Sequence, residues 1–412
     1  AVGESSGYES KGLEHLKWDI YEALRDGVSL GTRSVDWWED LTNVFNVING
    51  GDPGINVPRY NGGLFHPEGL GDPDIGPAAR FLEGNAIADR DLARALMRLT
   101  RDVEAEDSYE EPQFIHFRDL GVRHLGSVYE GLLEFKLQIA DRHLCKATKD
   151  GRAVWQPADD PAEANRAPGD LYLTNDKSER RATGSYYTPD YIVCYIVRNT
   201  IGPRIDRIEE ECELAHEIRA PESNRRPWEE LYQAVKTLRP PDTRHAPPDT
   251  SSPDTRHPTR ATPSDTLWNS CTSDSQRREF LLNQLDGAQP DHAYDPPTRL
   301  LQLNVLDPAL GSGHFLVGAL DHITRRLVRM LNEYGESPVF ERIRADRRKI
   351  TESLRNQGIE AEEEKLTDEN LLRRMVMKRC LYGVDLNPLA VELSKLSLWL
   401  HAFTAGAPLS FL

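Results

Sequence analysis

Two units of one pattern, an apolar run followed by a turn and a helix, restrict the fold of this sequence more than any other feature. In the first, the run 300–306 leads into a glycine-rich turn, and a helix is predicted from about Phe315. In the second, the run 380–384 precedes Asn387 and Pro388, where asparagine is a good N-cap and proline suits the first helical turn. Successive units of this kind form a parallel sheet with crossover helices, so we predict an α/β fold here.

The turn after the first run is suited to hold a ligand against the backbone. It reads DPALGSGHF (307–315) and follows the carboxyl end of the predicted strand, where α/β sheets bind ligands. Asp307 offers an anionic acceptor, and Gly311 and Gly313 have no side chains to keep a ligand away. Leu316 replaces the third glycine of the dinucleotide fingerprint, and an acid is unfavourable beside a pyrophosphate. We expect a phosphate-free nucleoside cofactor and keep a dinucleotide as the alternative.

A second acid, Asp385, ends the second apolar run within YGVDLNP (382–388). One carboxylate can accept hydrogen bonds from both ribose hydroxyls, and an acid at this strand end usually does so. The interval from the glycine turn far exceeds the usual one of about 20 residues, because a charged helical insertion is predicted at 333–378. The alternative is that Asp385 only begins a turn.

A third motif, GSYYTP (184–189), lies well before the glycine turn. The helix predicted after it has Ile192, Val193, Ile196 and Val197 on one face and is expected to end at the Gly-Pro pair 202–203. Alone, the motif indicates a well-capped helix start, and its position before the glycine turn favours a shared site.

Together the three motifs resemble the N6-adenine-specific DNA methyltransferases of type IIG restriction–modification and phage-exclusion systems. In that family GSYYTP, DPxxGSGHF and YGVDLNPLAVELAKLSLWL occur in this order, as they do here at 184–189, 307–315 and 382–400. The segments 60–65 and 125–130 also resemble stretches that precede the family's methyltransferase core. The resemblance implies a partial class I, Rossmann-like S-adenosylmethionine-dependent methyltransferase core, preceded by a mainly α-helical domain.

The resemblance also assigns cofactor contacts. The positions implied to bind S-adenosylmethionine are Tyr187, Thr188, Pro189, Asp307, Ala309, Gly311, Gly313, Phe315, Asp385 and Leu386. Those at 188–189 would border its methionine end, those from 307 to 313 would cradle its amino acid and sulfonium parts, and Asp385 would bind the ribose. Leu310 stands where the family often has cysteine, a change that a site built from backbone tolerates. No metal ligand is implied.

The family's catalytic tetrapeptide, Asn/Asp-Pro-Pro-aromatic, is expected beyond Leu412, so no catalytic residue is assigned in this chain. That tetrapeptide is needed because the exocyclic adenine amine is a poor nucleophile and the flipped base must be held and stacked. The similar DPPT at 295–298 has no aromatic residue and follows no predicted strand. His314 is expected to start a helix rather than to act as a base.

Pattern and composition divide the chain further. We predict a mainly helical domain at 1–150, from the helical spacing of Leu92, Ala95, Leu96 and Leu99 and of the apolar residues at 128–135. A connecting segment with GSYYTP follows at 151–238 and contains one candidate strand at 171–173. The stretch 239–270 is predicted to be a disordered linker, because few large apolar residues occur there and PDTRH is repeated. The incomplete core occupies 271–412.

A nuclease activity is disfavoured for the N-terminal domain. The tripeptide EFK (134–136) has the spelling of a metal-dependent nuclease motif, but the surrounding spacing predicts a helix. The five cysteines form no CxxC pair, which indicates neither a zinc site nor disulfides and favours the cytoplasm. No signal peptide or membrane span is predicted.

The net charge of −17 excludes a protein whose whole surface follows DNA phosphates, although a separate basic domain could read the DNA. The sequence therefore predicts a site-specific DNA adenine-N6 methyltransferase of restriction–modification or phage defence. Double-stranded DNA would be bound through other domains, and restriction or phage-defence subunits are candidate partners. This chain by itself is expected to bind cofactor at most. The alternatives are an RNA or small-molecule methyltransferase with the same site, and a non-catalytic DNA-binding defence subunit.

Overall fold

The computed structural model describes residues 12–59, 80–82, 84–101, 114–115, 135–149, 152–175, 188–238, 263–285, 294–360 and 366–402, with the single residues 124, 126 and 128. Several predicted features lie outside these residues: the segment 60–65, most of 125–130, Tyr187 and the stretch 239–262. Leu412, beyond which the catalytic tetrapeptide is expected, also lies outside them, so the structure does not test that expectation. Within the described parts, no helix combines the length and apolar character needed to cross a bilayer.

The N-terminal region is a small helical unit. Helices α1 (Leu13–Arg25), α2 (Asp36–Gly50) and α3 (Asp89–Thr100) pack on one another. The helix predicted from the spacing at 92–99 is confirmed as α3, but its buried face is turned: Met97 is buried whereas Leu99 is exposed. The core of this unit is made by Leu16, Ile20, Leu92, Ala93, Leu96 and Met97.

The next region is made of strands, which corrects the prediction of helix up to residue 150. Strand β1 (Phe135–Ile139) pairs antiparallel with β4 (Leu171–Asn175), and β2 (Leu144–Lys149) forms a hairpin with β3 (Arg152–Pro157). The candidate strand at 171–173 is confirmed. Val128 is helical, residues 129–134 lie outside the described part of the chain, and residue 135 already belongs to β1. From there the alternation has a period of two, with Leu137 opposite Leu173 and Ile139 opposite Leu171.

Residues 135 and 136 of the EFK motif lie in strand β1, so the helix predicted there is wrong. Residue 134 is outside the described part of the chain. Among the described residues, no group of three or more His, Cys, Asp or Glu side chains could hold a metal ion.

Helix α4 (Asp190–Arg219) follows the GSYYTP motif and continues through Pro203, so the predicted end at 202–203 is wrong. An interior proline costs a helix about 3 kcal/mol through its missing N–H and its ring. Burial of the following turns offsets this cost, because Ile205, Ile208 and Cys212 are all buried.

The second half of α4 belongs to another helical unit, with α5 (Trp228–Leu238), α6 (Pro263–Ser270) and α7 (Asp274–Gln284). Trp268 on α6 is buried, and its ring stacks on Tyr232 at 4.6 Å between centroids. Its indole N–H donates to Glu229. The predicted linker 239–270 is thus wrong for its last eight residues, which complete a core.

The remaining elements are α8 (Pro296–Leu300), β5 (Val305–Asp307), α9 (His314–Tyr334), α10 (Pro338–Asn356), α11 (Asp368–Cys380), β6 (Leu381–Gly383) and α12 (Pro388–His401). The first strand is shorter than predicted, because Leu300 ends a helix and is fully buried there. The described part of 333–378 is mainly helical, as predicted, in the end of α9, in α10 and in most of α11. It is not peripheral, since Ile343, Leu354 and Val376 lie in the main core and α11 leads directly into β6.

Strands β5 and β6 pair in parallel, with Val305 opposite Leu381 and Asp307 opposite Gly383. Helices α9 and α11 pack on this sheet. Parallel sheets are typically buried on both faces, whereas Leu306, Tyr382 and Val384 are exposed on this strand pair. One parallel strand pair does not establish the predicted Rossmann-like core, which remains a proposal.

Candidate functional site

The candidate site lies at the carboxyl ends of β5 and β6. The sequence predicts that these strands are parallel neighbours, and their pairing confirms this. Two further hydrogen bonds extend the pairing: the N–H of Val384 donates to the carbonyl of Asp307 at 3.0 Å, and that of Leu310 to the carbonyl of Val384 at 3.0 Å. Asp307 and Asp385 therefore stand at one edge of the sheet.

The two glycines of the turn have different functions. Gly311 has a φ of 53°, and a Cβ there would meet no atom of the described residues within 4 Å, so they leave open space beside the turn. Gly313 has a φ of 80°, and a Cβ there would lie 2.8 Å from Cβ of Ser394 on α12. The expectation that both glycines make room for a ligand is supported for Gly311 alone, because Gly313 is needed for the close approach of α12.

Leu310 anchors the turn across the second strand. It is buried in the main core, and a Cβ on Gly383 would come within 2.6 Å of Cδ1 of Leu310. The sequence had suggested that only the backbone matters at position 310. The side chain of Leu310 contributes as well. The side chain of Leu310 occupies the space that a side chain at position 383 would need.

Asp307 has one carboxylate oxygen with a partner and one without. Its Oδ1 accepts the N–H of Ala309 at 3.0 Å. Its Oδ2 is buried and, among the described residues, accepts no hydrogen bond. A buried, unpaired carboxylate oxygen costs free energy unless a donor or cation reaches it. An ammonium group is both a donor and a cation, so this carboxylate fits the amino acid end of S-adenosylmethionine.

Asp385 is engaged by the backbone on both sides. Its Oδ2 accepts the N–H of Gly311 at 2.8 Å, and its Oδ1 accepts the N–H of Asn387 at 2.8 Å. No sequence pattern indicated the first bond, which ties the glycine turn to the second strand. A carboxylate has about four acceptor positions, so two remain for ribose hydroxyls. The two sequence alternatives, a ribose ligand and a turn residue, are thus compatible. Leu386 beside it is fully exposed.

The last two residues of GSYYTP, Thr188 and Pro189, precede a contact with the helix that follows the glycine turn. Asp190, the first residue of α4, lies 2.6 Å (Oδ1) from Nε2 of His314, the first residue of α9. Thr188 is two residues earlier, so it lies within roughly 7 Å of Asp190 along the backbone. Pro189 is exposed, and its carbonyl accepts the N–H groups of Ile192 and Val193. The contact of Asp190 with His314 was not foreseen from the sequence.

Two other predicted positions have structural functions. Phe315 packs against the main core. Asp295, at the start of DPPT, caps α8: its Oδ2 accepts the N–H of Thr298 at 2.9 Å and the hydroxyl of Ser337 at 2.7 Å. Thr298 and both prolines are buried. The described contacts of DPPT are thus those of a helix start.

Charged groups on α9 hold the neighbouring helices. Asp321 Oδ1 lies 2.9 Å from Nε2 of His401 on α12 and 3.2 Å from Nη1 of Arg373 on α11. Burial raises the pKa of Asp321, but its hydrogen bond to His401 and the charges of His401 and Arg373 lower that pKa overall. The carboxylate thus fixes α12, and with it Ser394, against the glycine turn.

Comparison with known proteins gives one partial match. No family model and no solved structure matches the chain. A protein of Methanocaldococcus jannaschii, named "Putative type II restriction enzyme and methyltransferase", is 25% identical over 224 residues, which cover 54% of this chain. The match spans 12% of that relative's length. The chain is therefore similar to one part of a much longer protein that is named for both restriction and methylation.

Proposed function

We propose that this chain carries the S-adenosylmethionine site of a DNA adenine-N6 methyltransferase of a restriction–modification or phage-exclusion system. The observation that carries the proposal is the buried Oδ2 of Asp307, which has no partner among the described residues, in the turn that begins at the edge of a parallel strand pair. The open space at Gly311, four residues later in the same turn, supports it. The partial match to a relative named for restriction and methylation supports the same class of enzyme.

Each part of the site would have a defined task. Asp307 would bind the cofactor's ammonium group through Oδ2, and the free face of Gly311 would let the cofactor approach the backbone. Asp385 would accept ribose hydroxyls with the acceptor positions that the backbone leaves free. The bound cofactor supplies an electrophilic methyl group. Duplex DNA and restriction or defence subunits are the proposed partners of the whole protein.

Cofactor binding by this chain tests the proposal. We expect tritiated S-adenosylmethionine to cross-link to the chain under ultraviolet light, even where affinity is low. Asp307→Asn should abolish the cross-link, because it removes the negative charge and keeps the shape. Asp141→Asn is the matched control, since Asp141 is exposed and paired only with its neighbour Arg142 among the described residues. Equal labelling of the two variants would contradict the assignment, and competition by NAD would favour the dinucleotide alternative.

The adenine assignment is tested in the whole protein. After transfer of tritiated methyl groups to duplex DNA, nucleoside analysis should yield N6-methyladenine. Methylcytosine as the product, or label in RNA alone, would refute it. Cofactor binding with no methyl transfer to any nucleic acid would favour the non-catalytic subunit.

A further inference from the structure

Helices α4 and α9 run side by side in the same direction. Their contacts follow one order along both helices: a Cβ on Gly318 would come within 2.9 Å of Cγ1 of Val193, and further along Arg326 pairs with Asp206. Arg329 then lies 2.6 Å from Glu209. Parallel packing brings both N-termini to one end of the pair, which is the end with the glycine turn.

At that end the first residues of the two helices touch. Nε2 of His314 lies 2.6 Å from Oδ1 of Asp190, and the imidazole is 14% exposed whereas the carboxylate is 63% exposed. A carboxylate accepts and does not donate, so Nε2 carries the proton in this bond. The bond joins the residue after Gly313 to the residue after Pro189.

Helix stability alone explains only one of the two residues. An acid in the first turn, such as Asp190, is favoured by the positive N-terminal end of the helix dipole. A histidine at the first position of α9 gains nothing from that dipole and loses when it is charged. The bond to Asp190 is an interaction that favours histidine at this position.

We propose that Asp190 and His314 are positioning residues of the cofactor site, which fix Thr188 and Pro189 against the glycine turn. This inference rests on the proposed function and deepens it. The ion pairs of Arg326 and Arg329 join the helices away from the turn, so they hold the pair together without setting its end. The bond between His314 and Asp190 sets the spacing between Thr188 and Gly311, across which the methionine end of the cofactor would lie.

The test compares both ends of the helix pair in the full chain. His314→Ala and Asp190→Ala should each raise the Kd for S-adenosylmethionine by about three- to tenfold, as expected for one lost hydrogen bond. The double variant should raise the Kd by less than the product of the two single effects, because both single variants remove the same contact. His314→Gln should restore binding, since its amide can donate in place of Nε2. Arg329→Ala, which breaks the distal pair with Glu209, should leave the Kd unchanged.

Hydrogen exchange of the amides at 310–313 provides a readout without cofactor. It should be faster in His314→Ala and Asp190→Ala than in Arg329→Ala. Equal effects of His314→Ala and Arg329→Ala, additive single effects, or failure of His314→Gln to rescue would overturn the inference. If the unmodified chain does not bind the cofactor, the proposed function fails. In that case the exchange rates alone test whether the contact between Asp190 and His314 stabilises the glycine turn.

Discussion

Asp385→Ala should destabilise the glycine turn even when no cofactor is present. The substitution removes two hydrogen bonds of 2.8 Å, one to the N–H of Gly311 and one to the N–H of Asn387. A hydrogen bond to a charged acceptor contributes about 1.5–3 kcal/mol. Asp385 is only half-buried, so the lower value applies to each bond. The expected loss in the free energy of unfolding is roughly 3 kcal/mol.

Urea unfolding followed by circular dichroism measures this loss, and hydrogen exchange of peptide 307–316 assigns it to the turn. Asp385→Asn should fall between the alanine variant and the unmodified chain, since one carbonyl oxygen remains as an acceptor. Asp160→Ala is the control. Asp160 is exposed and accepts one backbone N–H, from Ala162 at 2.8 Å, so its loss should cost no more than about 1 kcal/mol. If Asp385→Ala unfolds like the unmodified chain, the proposed structural function of Asp385 is refuted.

Three further predictions concern the supports of the site and its neighbouring units. Gly313→Ala should destabilise the chain more than Gly311→Ala. Both substitutions place alanine at positive φ, which costs roughly 1–2 kcal/mol each, but only a Cβ at 313 also meets Ser394. The urea midpoints of the two variants measure the difference, and equal midpoints would contradict the packing of Gly313 against Ser394. Trp268→Ala should cost about 3–5 kcal/mol, as for a buried core tryptophan, and a loss below about 0.5 kcal/mol would restore the linker assignment for 263–270. Burial, with the nearby charges of Arg325, Arg326 and Arg198, lowers the pKa of His322 below its usual 6.5. The folded chain thus protonates His322 less readily than the unfolded chain does. The free energy of unfolding should therefore fall as the pH drops through and below about 6.5. His322→Gln should flatten that part of the stability profile, and an unchanged slope would exclude His322 as its source.

The pairing of the two strands could be predicted from the sequence, whereas their limits could not. Each apolar run ends in an acid and a turn, which places both at the same sheet edge. The run 300–306 is apolar at most positions and predicts one strand, yet Leu300 is the last residue of the helix that Asp295 caps. That cap also uses the hydroxyl of Ser337, which is distant in sequence and invisible to local patterns.

Helix ends and side-chain partners were likewise decided by tertiary contacts. Pro203 is a strong local stop signal, but burial of Ile205 and Ile208 outweighs it. The bond of Asp385 to Gly311 and the fit of Gly313 to Ser394 join positions that no spacing rule connects. The chemistry of Asp307 could be read from its residue type, whereas its unpartnered oxygen required the fold.

Mapping the position of the cofactor cross-link tests the central claim most directly. After irradiation with tritiated S-adenosylmethionine and proteolysis, the label should be found in the peptides that contain 307–315 or 382–388. Unlabelled S-adenosylhomocysteine should remove it, since it has the same amino acid, ribose and adenine groups. Label confined to the N-terminal helices or to the strands at 135–175, or label that S-adenosylhomocysteine does not displace, would contradict a cofactor site at Asp307 and Asp385.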